Sequence, residues 1–93
     1  MLLNNAVGVV DGEWVAVNGA HPFTVEIMGA STGAVVQLWC SNAPSIPTHN
    51  GVQVREDFTS DTVVYFDTPM RWVRAKVIQA GSFPVNVYLF GLM

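Results

Sequence analysis

The chain has 93 residues and a net charge of −3; 51% of its residues are hydrophobic and only 12% are charged. One domain of this size buries only about 60–65% of its unfolded surface, and soluble domains carry about 25% charged residues. The apolar side chains therefore exceed what a small lone core hides, and a neighbour is expected to cover the surplus. The four basic residues, Arg55, Arg71, Arg74 and Lys76, are too few for the basic stripe that nucleic acid demands.

No apolar run reaches the length of a membrane span. Cys40 is the single cysteine, so no intrachain disulfide forms, which favours a reducing compartment. Met1-Leu2-Leu3-Asn4-Asn5 lacks the basic start and long apolar stretch of a signal peptide. Synthesis in the cytoplasm is expected, with residues 1–93 forming one domain. Lys76 is the only lysine; lysine commonly keeps surfaces soluble and blunts strand edges, so its scarcity again points to a covered surface.

In chain order, valine-rich runs alternate with turn formers, which favours strands over helices. Residues 7–17 hold two short apolar runs around Asp11-Gly12, a hairpin signal, and Asn18-Gly19 makes the next turn. Phe23 to Met28 alternates, with Phe23, Val25 and Ile27 on one face and Thr24, Glu26 and Met28 on the other, as a half-buried strand does. Gly29 to Gly33 turns the chain into a strand over Val35–Cys40. The segment from Ser41 to Gly51, with Pro44, Pro47 and Asn50-Gly51, is a long loop. Strands follow over Val52–Phe58, with Gln53, Arg55 and Asp57 outward, and over Thr62–Phe66, which is apolar on both faces and so is either central or covered from outside. Met70 to Ala80 fits a helical stripe and a strand alike; its Trp72, Val73, Val77 and Ile78 favour strand. Gly81-Ser82 turns into a last strand over Pro84–Phe90, with Val85, Val87 and Leu89 inward. The expected fold is all-β: an antiparallel β-sandwich of seven to eight strands, jelly-roll-like.

Catalytic and metal chemistry find little support. His21, His49 and Cys40 are far apart, and a zinc site needs about four convergent ligands. A nucleophilic Cys40 would need a histidine beside it; a buried, inert thiol is expected instead. Glu56 and Asp57 are adjacent and so point to opposite strand faces, while Asp57 and Asp61 read as solvated loop acids. No phosphate loop, nucleophile elbow or zinc-protease motif is present. The expected protein is not an enzyme and holds no cofactor or metal.

Binding signals are stronger. Trp14, Trp39 and Trp72 belong to the residue type enriched at interface hot spots, and tryptophan also stacks on sugars. Arg74 and Lys76 share a strand face with Trp72 and form either a docking strip or a solvated strand paired with Glu26 or Asp57. The apolar ends, with Leu2, Leu3, Leu92 and Met93, are expected to dock. The long loop presents Ile46 and is stiffened by its prolines. The candidate interface is therefore Leu2, Leu3, Trp14, Trp39, Ile46, Trp72, Arg74, Leu92 and Met93, together with strand edges.

The succession Phe23-Thr-Val-Glu-Ile, Gly33-Ala-Val-Val-Gln-Leu, Pro69-Met-Arg-Trp-Val-Arg-Ala-Lys-Val and Pro84-Val-Asn-Val-Tyr-Leu resembles the small β-sandwich proteins of tailed-phage virions, capsid decoration (cement) proteins among them. The resemblance covers roughly residues 21–90 and carries no site residue with it. It implies a structural virion protein, assembled in the host cytoplasm, that binds and stabilises the major capsid protein lattice as a dimer or trimer, without nucleic acid or membrane. A tail, neck or fibre component is the alternative, and a carbohydrate-binding module using its tryptophans is the next.

Overall fold

The computed structural model describes residues 1–91; Leu92 and Met93 lie outside the described residues, and with them two of the expected docking positions. Among the described residues nine strands form: β1 (Leu3–Ala6), β2 (Val10–Asp11), β3 (Val15–Ala16), β4 (Phe23–Met28), β5 (Val35–Ser41), β6 (Val52–Phe58), β7 (Thr62–Phe66), β8 (Trp72–Gln79) and β9 (Val85–Phe90), with one short 3-10 turn at Ala30–Thr32. They make two antiparallel sheets, one ordered β1-β9-β4-β7 and one ordered β2-β8-β5-β6, with β3 also on β8.

The pairings are nested. β5 pairs with β6, β4 with β7, β2 and β3 with β8, and β1 with β9. The chain is one long hairpin with its apex in residues 42–51. Its two arms roll up until β9 meets β4 and β8 meets β5. Counting β2 and β3 as one interrupted strand gives the eight-stranded double-sheet connectivity of a jelly roll.

Asp11-Gly12 does not turn a hairpin. β2 and β3 lie along the same partner, with Asp11 opposite Lys76 and Val15 opposite Val73. Three residues, 12–14, thus face two, Arg74 and Ala75, and the extra one makes a bulge. Gly12 is buried and donates its N–H to the Ala75 carbonyl at 2.8 Å. A Cβ there would stand 2.5 Å from that oxygen and 2.9 Å from Leu3 Cδ2. The glycine marks a close backbone approach, the other meaning it can carry in a strand.

The core follows the two-residue period. Phe23, Val25, Ile27, Val64, Phe66, Val85 and Val87 face inward from one sheet, and Val36, Leu38, Val73, Ala75 and Val77 from the other. Phe23 and Phe66, paired across β4 and β7, stack with centroids 5.1 Å apart. Leu2 and Leu3 are buried in this same cluster. They hold the start of the chain against β9, with Leu2 N–H bonded to the Val87 carbonyl at 2.8 Å, and so face the chain's own core and not a neighbour. Residues 72–79 are strand throughout, which resolves the helix-or-strand ambiguity.

The sheet edges are irregular. Register breaks in β1 at Asn5, whose φ is 55°. β6 bulges at Arg55, with φ 66°, so its outward alternation fails there. The Arg55 guanidinium then crosses to the other sheet, where Nη2 donates to the Tyr65 carbonyl of β7 at 3.0 Å and the group lies 5.1 Å from the Phe66 ring centroid. Broken and capped edges discourage strand addition. The expected contacts along strand edges are thus poorly prepared, and the faces of the sheets remain.

Candidate interaction faces

The outward face of the five-stranded sheet is set by register. Trp39 of β5 stands between Gln53 of β6 and Arg74 of β8, Gln37 is opposite Lys76, and Lys76 is opposite Asp11. The bulge before β3 brings Trp14 over the same face. Arg74 lies 4.6 Å from the Trp14 ring centroid, and Lys76 Nζ lies 4.5 Å from that of Trp39. Both cations donate to one neutral oxygen, Asn50 Oδ1, from Arg74 Nη2 at 2.9 Å and from Lys76 Nζ at 3.3 Å. Lys76 is only 8% exposed. The partners of this pair are thus indoles and an amide, and not Glu26 or Asp57.

Polar side chains complete the cover. Trp39 Nε1 donates to Gln37 Oε1 at 3.0 Å, and the Gln37 and Gln53 amides both donate to Asp57 Oδ1, at 3.0 and 2.8 Å. The Arg74 Nε atom is buried without a partner. Trp72, half-buried, donates its indole N–H to the Ala43 carbonyl at 3.0 Å, and Asn42 Oδ1 accepts the Arg71 N–H at 3.1 Å. The apex loop is therefore tied to the sheet at both ends, by Asn42-Ala43 and by Asn50. Between these ties Pro47 is buried and Ile46 projects, 62% exposed.

The outward face of the four-stranded sheet is different. Its rows are Tyr65–Thr24–Phe90, Val63–Glu26–Tyr88 and Met28–Asn86. Phe90 is 80% exposed and Tyr65 57%, and Val63, Met28 and Tyr88 are exposed as well. Glu26 is exposed in the middle, and its cross-strand neighbours are Val63 and Tyr88. These residues were absent from the interface expected from sequence. The signal was present in Thr62–Phe66, apolar on both faces. β7 proves to be an edge strand and not a central one, and among the described residues its outward Val63 and Tyr65 are exposed.

The groups with chemistry do not converge. His21 Nδ1 donates to the Gly19 carbonyl and His49 Nδ1 accepts the Gly51 N–H, both at 2.9 Å and both in exposed loops. Burial raises the Cys40 pKa, which leaves less of the reactive thiolate. Asp61 caps the 3-10 turn through the Ser31 and Gly29 N–H groups, at 3.2 and 2.9 Å; these bonds, led by that of Ser31, lower its pKa. Among the described residues no three His, Cys, Asp or Glu side chains group so as to hold a metal ion, and no helix is long and apolar enough to cross a membrane. No protein-family model, curated protein or solved structure matches the chain.

Proposed function

We propose that this chain is a structural virion subunit of the capsid-decoration type, which binds and stabilises the lattice of a major capsid protein and has no chemistry of its own. The observation that carries the reading is the exposed face formed by Tyr65, Val63, Tyr88, Phe90 and Met28. A contiguous apolar and aromatic patch left exposed among the described residues is what a docking surface needs. The jelly-roll connectivity adds support by analogy only, since the fold also serves lectins and cupins. The shortage of lysine and charge fits a surface that is covered in assembly. In this reading copies of the chain meet around Ile46 as dimers or trimers on a capsid symmetry axis, leaving the aromatic face to the capsid protein.

The test is copy number on the purified source particle, by quantitative mass spectrometry against the major subunit. Hundreds of copies support capsid decoration. A few dozen or fewer make the chain a tail, neck or fibre part, and absence from any particle removes the virion reading. The carbohydrate-binding alternative is less favoured, because Trp14 and Trp39 each have one ring face taken by a cation of the same chain.

A further inference from the structure

We infer that the outward face of the four-stranded sheet is built for a different protein whose apolar surface carries one arginine or lysine, seated opposite Glu26. This rests on the docking reading above and goes beyond it by fixing the partner's chemistry.

Glu26 is the only ionisable carboxylate within the rows of β4, β7 and β9 that form this face. It is ringed by Val63 and Tyr88 across the strands and by Thr24 and Met28 two residues away along β4. The exposed acids Asp61 and Asp67 flank β7 at its two ends. The chain's own cations are elsewhere: Arg74 and Lys76 lie on the opposite sheet, Arg55 is bonded at the β7 edge, and Arg71 precedes β8. A purely apolar partner would strip water from Glu26 and return nothing, which is costly for a carboxylate. An arginine supplies both charge and planar stacking on the rings around it.

A second copy packing the same face about a two-fold axis through its centre would set Glu26 against Glu26, which disfavours that contact. Taking an aromatic side chain at 150–250 Å² when fully exposed, the exposed fractions of Tyr65, Tyr88 and Phe90 offer about 250–450 Å², below the roughly 800 Å² per side of a standard interface. A partner that also engages Val63, Met28 and the rim acids would bury more.

The test uses the full chain and a display library of a rigid helical scaffold with one randomised face. Clones are selected on the wild-type chain and counter-selected on a Tyr65→Ser/Phe90→Ser double variant. The enriched clones are expected to combine aromatic or aliphatic residues with one Arg or Lys. Their affinity should fall about tenfold or more against Glu26→Arg and recover when the clone's cation is changed to Glu. Enriched clones without a cation, or binding that Glu26→Arg leaves intact, overturn the inference. Two control measurements can also overturn it. One is self-association in sedimentation that Phe90→Ser abolishes, which makes a second copy the occupant. The other is retention on phosphatidylcholine vesicles that Phe90→Ser abolishes, which makes it a lipid surface. Because no particle enters this experiment, its failure is distinct from failure of the virion reading, which copy number decides.

Discussion

On one side of the sandwich Trp14 and Trp39 pack face-on against Arg74 and Lys76, and Asn50 ties both cations down. On the other side Tyr65, Tyr88 and Phe90 are exposed around Glu26. Both faces are rich in aromatic residues and both are outward. Aromatic content alone therefore does not mark a docking face. What separates them is whether the chain's own groups occupy the rings: on the five-stranded sheet Arg74 and Lys76 of β8, held by Asn50, pack against the two indoles.

The largest effect that separates the faces is expected at Gly51. Its φ is 78°, and a Cβ there would fall on the Cys40 carbonyl oxygen and within 2.8 Å of the Trp14 ring. Gly51→Ala should destabilise the fold by about 3 kcal/mol, from backbone strain and overpacking together, read from the urea midpoint. Next comes a matched pair. Trp14→Ala should cost about 2 kcal/mol, less than a fully buried tryptophan because the ring is half-buried. Phe90→Ser should stay within about 0.5 kcal/mol and raise solubility. Equal costs at the two positions would erase the distinction between a covered face and a waiting one.

Smaller effects sharpen the comparison. Arg74 and Lys76 converge on an uncharged oxygen, so Asn50→Asp should stabilise by up to about 1 kcal/mol. The gain should shrink with added salt and with acidification. The smallest effect belongs to Asp61, at the rim of the exposed face. Its folded pKa is lowered from 3.8 by the Ser31 N–H above all. Its contribution is thus fully present above the unfolded value and fades as pH falls through the lower, folded one. Asp61→Asn should flatten the acid end of a stability profile and leave the neutral range unchanged in shape.

The period-2 pattern made much of this legible. The inward sets Phe23/Val25/Ile27 and Val85/Val87/Leu89 are the ones that face the core, though Leu89 is only partly buried. The same alternation put Thr24, Glu26 and Met28 outward. Strand partnership was not legible, because nested pairs such as Leu3 with Val87 join residues at opposite ends of the chain. For that reason Leu2 and Leu3, apolar and terminal, read as docking residues and are instead core. The tryptophans left two readings open, platform or packing role, because the partners that decide it lie far along the chain, Lys76 for Trp39 and Arg74 for Trp14. Gly12 misled locally: the same glycine that would serve a hairpin serves a bulge, and only the neighbouring strand decides between them.

The central claim is that the four-stranded face is the one that docks. Hydroxyl-radical footprinting of the full chain, free and in its native assembly, tests it most directly. Met28, Tyr65, Tyr88 and Phe90 are expected to oxidise readily in the free chain and to become protected in the assembly, while Trp14 and Trp39 change little. Unchanged oxidation of those four residues, with protection confined to Ile46 or to the tryptophan face, would contradict it.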